Sequence, residues 1–206
     1  MIPLVTTGAD GPAGSVPDAT YTSRPLGPDT WDVFAELVER NNGVFGGCWC
    51  IGWHPERGQR GIDHRDVKQQ RVLSDRAHAA LVLDPDGVAQ GWCQFGDPDE
   101  LPTIKHRRVY EQDPPPRPDW RITCFYVDTR HRGQGIARVG LAGALEQIAA
   151  RGGGLVEAIP EVTAGRTAHG RFLYSATVEL FEAHGFGRVR QVGKHAWIVS
   201  RVVDPA

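Results

Sequence analysis

Two glycines and two arginines stand close together in Arg130-His131-Arg132-Gly133-Gln134-Gly135, between an apolar run, Ile122 to Val127, and a helical pattern, Ile136 to Ala150. The first amides of a helix have no intrahelical acceptor, so they point outward as donors. The helix dipole adds partial positive charge there. Glycines allow an anion to approach the backbone closely. The spacing therefore predicts a phosphate or pyrophosphate site built mainly from backbone. A dinucleotide fingerprint would need a third glycine at position 138, where the chain has Arg138. A phosphate-binding P-loop would need Gly-Lys-Ser/Thr, which the segment lacks.

Other residues with chemical potential are scattered. Glu157 stands among Val156, Ala158 and Ile159. A carboxylate in an apolar strand is costly unless it faces a wet cleft or a partner. It is a candidate general base, with a substrate-orienting role or a structural ion pair as the alternatives. Cys48-x-Cys50 with His54 offers three zinc-type donors, but zinc sites usually separate their cysteines by two or more residues, and no second pair follows. No metal is expected. Trp49 and Trp53 in the same loop are expected to line a substrate pocket. A nucleophilic Cys124 would need a lowered thiol pKa and a nearby base. The sequence offers neither, so Cys124 reads as a small buried hydrophobe.

The elements that must position these residues can be read along the chain. Residues 1–19 are read as a flexible N-terminal extension, rich in Gly, Ala and Pro from residue 8 on, and residues 20–206 as one domain. A short strand, Thr20 to Leu26, leads to a helix capped by Asp29 or Thr30, with Trp31, Phe34, Leu37 and Val38 on one face. A second helix is expected from Asp63 to Arg76, with Val67, Gln70, Leu73 and Ser74 on one side. Asp86-Gly87 predicts a hairpin between Ala80–Leu83 and Val88–Phe95. A helix over Leu101–Tyr110, a strand over Leu155–Pro160, a helix over Phe172–His184 and two closing strands complete the pattern.

The net charge of −2 and the 40% hydrophobic content give no basic excess for nucleic acid and enough apolar residues for a core. No apolar run approaches the roughly 18–20 residues of a membrane helix. The first residues lack the basic stretch and apolar core of a signal peptide. The expected compartment is the cytoplasm, with reduced cysteines.

Arg132-x-x-Gly135-x-Ala137, following a strand that ends in Val127, resembles the pyrophosphate loop of the GNAT acetyltransferases, Gln/Arg-x-x-Gly-x-Gly/Ala. The Cys48-Trp49-Cys50 loop with Trp53, Gly91-Trp92-Cys93, Val156-Glu157-Ala158-Ile159-Pro160 and Phe181-Glu182-Ala183-His184-Gly185-Phe186 occur with it. Together they resemble a bacterial branch of that family with an early Cys-x-Cys loop, over roughly residues 20–203.

The resemblance implies an α/β (α+β) fold: a mixed, mostly antiparallel sheet flanked by helices, with a splayed central strand. It implies acetyl-CoA as cosubstrate and N-acetyl transfer to a primary amine, of a small molecule or peptide, by direct attack in a ternary complex. Phe125, Tyr126 and Val127 would hold the pantetheine arm through their backbone. Arg132, Gly133, Gln134, Gly135, Ile136 and Ala137 would hold the pyrophosphate. Family members often place a proton-donating Tyr where this chain has Phe181, so Tyr174 becomes a substitute candidate. A non-catalytic acyl-CoA-binding module of the same fold is the alternative, and a homodimer is left open.

Overall fold

In the computed structural model, which describes residues 21–165 and 173–206, the apolar runs become a seven-stranded sheet. In chain order the elements are β1 (Thr22–Pro25), α1 (Trp31–Arg40), α2 (His64–Leu73), β2 (His78–Leu83), β3 (Ala89–Gly96) and a short α3 (Arg107–Tyr110). Then come β4 (Trp120–Val127), α4 (Ile136–Ala150), β5 (Gly154–Ala158), a short α5 (Val178–Glu182), β6 (Gly187–Gln191) and β7 (Trp197–Val203). The spatial order is β1-β2-β3-β4-β5-β7-β6. Neighbouring strands are antiparallel except β4 and β5, a parallel pair whose crossover carries α4. The extension expected over residues 1–19 lies outside the described residues, as does Phe172.

Local chemistry explains the hairpin. The Asp84 carboxylate accepts the amides of Asp86 and Val88 at 3.0 and 2.9 Å, and Gly87 takes the positive φ of 79° that the turn requires. Each face of the sheet buries its own apolar layer. On one face Phe34, Leu37 and Val38 of α1 pack with Leu81, Trp92 and Tyr126. On the other, Leu141, Ala144 and Ile148 of α4 pack with Phe95, Phe125 and Phe181. Phe34 is 1% exposed, and its truncation to Ala would cost about 3–5 kcal/mol. A Cβ at Gly143 would stand 2.2 Å from Ser23 Oγ, so this glycine lets α4 lie close against the sheet.

One irregularity in β4 shapes the site. The β3–β4 register jumps from Gln94↔Cys124 to Phe95↔Ile122, leaving Thr123 as an extra residue. Such a bulge bends the strand and increases its twist. Ile122 is also the last β4 residue paired with β5, opposite Ala158. The splay expected of the central strand therefore begins where the bulge sits. The bulge also changes the facing of the strand: Ile122 packs with the α4 layer, whereas Cys124 packs with the α1 layer.

Three expected elements differ. The buried face of α2 carries Lys68, Arg71 and Val72, while Leu73 is 53% exposed. Arg71 is satisfied by a two-pronged pair with Glu56 at 2.9 and 2.7 Å. The helix expected over Leu101–Tyr110 is confined to Arg107–Tyr110. The helix expected over Phe172–His184 begins only at Val178, because Thr177 is its N-cap, accepting the Leu180 amide at 3.2 Å, and Ala176 has φ of 58°. Tyr174 therefore lies in a turn, and no helical face relates it to Phe181.

Candidate active site

The loop from β4 to α4 is held from beneath by Asp128. This buried carboxylate accepts from Arg40 Nε at 3.4 Å, Asn41 Nδ2 at 3.2 Å and Arg130 Nη2 at 2.8 Å. The bonds from Arg130 first, and then from Asn41, hold its pKa far below the ordinary 3.8 against the opposing effect of burial. Arg130 is thus a structural partner. Gly133 and Gly135 have φ of 78° and 81°, and Gly135 is the N-cap of α4. The amides of Arg138 and Val139 return to the Gly135 carbonyl, as in any helix start. Those of Ile136 and Ala137 come before the first intrahelical bond and are left for a ligand.

A cleft of about 370 Å³ opens on this loop. Arg132, Gly133, Gly135, Ile136 and Ala137 line it, together with Phe125, Tyr126 and Val127. Arg138 adds a second cation that the sequence reading did not assign. Gln134 does not line the cleft; its side chain accepts from the Tyr21 hydroxyl at 2.5 Å. Across the cleft stand Ala176, Thr177 and Leu180.

The free edge of β4 is partly occupied. The Phe125 amide donates to the Tyr174 carbonyl at 2.6 Å. Peptide groups two residues apart in a strand point the same way, so the Val127 amide also faces away from β3. The Asp128 amide, one residue on, turns back to the Gln90 carbonyl at 2.8 Å. Among the described residues no bond to the Val127 amide is present, so this donor is open toward the cleft.

A second cavity, of about 400 Å³, lies beyond Phe45, whose ring borders both. Trp53, Arg57, Lys105, Cys124 and Tyr174 line it. Tyr174 packs against Trp53 and Phe45 at centroid distances of 6.0 and 6.5 Å. Burial first, and then Glu161, push its phenol pKa above 10.0, so it remains protonated at neutral pH. Lys105 Nζ is held by Glu161 at 2.7 Å and Ser175 at 3.0 Å, and sits 5.3 Å from the Tyr174 ring centroid. The other expected pocket residue, Trp49, is in the core: it stacks on Trp31 at 6.1 Å and meets Phe34 edge-on, lining neither cavity. Its backbone is left-handed, with φ of 47°.

Glu157 sits deeper. Tyr110 donates to its two oxygens at 3.2 and 2.9 Å, and Arg121 Nε to one of them at 3.3 Å. Burial pushes its pKa above the ordinary 4.5, opposed by those two partners. A pocket of about 20 Å³, room for about one water, is lined by Glu157 and by Trp53, Thr103, Ile104 and Lys105, four residues that also line the second cavity. Tyr110 and Arg121 had no sequence signal beyond their types. Phe181 is fully buried against Phe125 and Phe186, at 6.0 and 4.9 Å, and lines neither cavity.

Behind the second cavity lies a group that the sequence reading missed. Lys68 is 1% exposed, with Nζ 3.3 Å from His54 Nε2 and 3.2 Å from Gln94 Oε1. Gln94 in turn donates to Thr123, the bulge residue, at 3.2 Å. Burial lowers the Lys68 pKa from 10.5, with Cys50 the largest opposing influence. The Cys50 thiol is lowered by Cys124, Lys68 and Trp92, against its own burial. His54 therefore faces a lysine, and among the described residues no group of three His, Cys, Asp or Glu side chains could hold a metal ion.

A mixed sheet whose one parallel pair splays apart, with a glycine-rich helix start opening onto the gap, defines the acyl-CoA-dependent acyltransferase class of fold. The profile of the acetyltransferase (GNAT) family matches residues 45–186, and the chain belongs to that family. Two solved structures of similar fold are an N-acetyltransferase from Staphylococcus aureus and a candidate acetyltransferase from Salmonella typhimurium bound to its cofactor acetyl-CoA. The first is 14% identical, with a TM-score of 0.50 over 90% of this chain and 98% of its own. The second is 15% identical, with a TM-score of 0.51 over 89% of this chain and 94% of its own. No curated protein matches the sequence. No helix among the described residues is long and apolar enough to cross a membrane.

Proposed function

We propose that the protein is a cytoplasmic N-acetyltransferase that takes the acetyl group of acetyl-CoA and passes it to a primary amine by direct attack in a ternary complex. The observation that carries this reading is continuity. The helix start of α4 and the open Val127 donor line one cavity, the second cavity shares the Phe45 wall with it, and Tyr174, whose carbonyl takes the Phe125 amide, lines the second. The amides at Gly135, Ile136 and Ala137, with Arg132 and Arg138, suit a pyrophosphate. Val127 suits an amide of the pantetheine arm. The acceptor would enter from the second cavity, and Glu157 would take its ammonium proton through the one-water pocket. Tyr174, whose phenol stays protonated at neutral pH, would supply a proton to the leaving thiolate.

The burial of Phe181 supports a second reading. With Phe181 on α5 unable to donate a proton, the chain would bind acyl-CoA without turning it over. Thioester consumption measured over a panel of amines, beside CoA titration of the same preparation, separates the two. Acceptor-dependent release of CoA supports catalysis. CoA binding with no release across the panel would transfer the case to the binding module.

A further inference from the structure

The second cavity has a distinctive charge pattern. Among the described residues no Asp or Glu lines it, whereas Arg57 and Lys105 both do. The Lys105 charge is already matched by Glu161. The Arg57 guanidinium is exposed and has no ion pair or hydrogen bond among the described residues, and it is near enough to Tyr174 for its charge to act on the phenol. The same cavity is walled by the mutually packed rings of Phe45, Trp53 and Tyr174. An acceptor whose charges are all ammonium groups, such as a polyamine or an aminoglycoside, would meet an unmatched like charge. An acceptor with a carboxylate at one end would neutralise Arg57, in the fork geometry that guanidinium offers. Its apolar body would cover the aromatic rings, and its amine would point toward Cys124 and the thioester. About 400 Å³ is within the range of cavities that take small molecules.

Building on the acetyl-transfer reading, we infer that the acceptor is an amino-acid-sized primary amine that carries a carboxylate, which Arg57 binds, and an apolar or aromatic body, which packs on Trp53 and Tyr174.

The experiment compares matched acceptors that differ at one end: L-phenylalanine, L-leucine and L-methionine against their carboxamides and their decarboxylated amines. It uses wild type, Arg57→Ala and Arg57→Lys. Wild type should favour the carboxylates in kcat/KM by about tenfold or more. Arg57→Ala should erase that preference through KM with little change in kcat or in CoA affinity, and Arg57→Lys should restore part of it. A parallel titration follows tryptophan fluorescence of the CoA-loaded protein with the same compounds. If no amine turns over, acetyl transfer is withdrawn, and the titration alone decides the carboxylate subsite: Arg57-dependent binding of the carboxylates upholds it. Equal or better handling of the decarboxylated amines, a preference that survives Arg57→Ala, or no binding of any carboxylate overturns it.

Discussion

The main-chain carbonyl of Tyr174 takes the amide proton of Phe125 at 2.6 Å. The turn that carries Tyr174 thus borders the splayed strand and uses one of its donors, so the next open donor along β4 is Val127. The same contact places the Tyr174 ring at the junction of the two cavities, between Phe45 and Trp53.

The α4 helix start should be the main determinant of cofactor affinity. Gly135 has φ of 81°, which a β-branched residue adopts only with strain, although a Cβ there would meet nothing within 4 Å. Gly135→Val should therefore leave the core intact yet displace the amides, weakening CoA binding by at least tenfold, about 1.4 kcal/mol. Titration calorimetry on a variant with a cooperative melt checks it; unchanged affinity would remove the loop from the site.

Glu157→Gln should lower turnover by roughly 10²-fold with CoA affinity nearly intact. Because burial raises the Glu157 pKa above 4.5, the wild-type rate should climb with pH as the carboxylate deprotonates, with a midpoint on the high side of the usual carboxylate range. The variant should lose that limb. A fall confined to acceptor KM would reassign Glu157 to orienting the amine.

Asp128→Asn should destabilise the fold by about 2–4 kcal/mol at neutral pH, since it strips a buried partner from Arg40 and Arg130. The folded pKa of Asp128 lies below its unfolded value of about 3.8. Its contribution is therefore fully present above that value and lost as pH falls through the folded pKa. Urea denaturation across pH 3 to 7 should show wild type converging on Asp128→Asn toward acid; parallel curves would show that the carboxylate charge contributes nothing.

Lys68 carries the opposite dependence. Its folded pKa is lowered from 10.5, so between the two values the unfolded chain binds more protons and stability rises with pH. Lys68→Met should abolish that rise. At pH 7 it should alter stability by no more than about 2 kcal/mol, because relief of a buried charge opposes the loss of bonds to His54 and Gln94. Denaturation at pH 7 and pH 9.5 measures both quantities, and an unaltered slope would show that Lys68 titrates normally.

The parts of this protein legible in its sequence are those set by local rules. Ile136 and Ala150 bound α4 as the pattern predicts, because a glycine cap, a long apolar stripe and a terminal Gly152-Gly153 agree. Residues whose roles are set by distant partners were not legible. Lys68 reads as a surface residue until Gln94 and His54 close around it. The Thr123 bulge has no glycine to mark it. Trp49 and Trp53 look equivalent in sequence, and the packing of Trp49 on the distant Trp31 and Phe34 separates core from cavity. Thr177 and Glu179 did carry a helix-start signal, which the apolar run before them obscured.

Phe45 is 46% exposed, and its ring is a wall common to both cavities. A ligand that turns this ring from one side would alter the surface offered on the other. By linkage, any factor by which a bound cosubstrate tightens the grip on the acceptor must equal the factor by which the acceptor tightens the grip on the cosubstrate. Synergy between the two ligands is thus a single measurable factor, the same from either titration, which trimming Phe45 to Ala should bring toward unity.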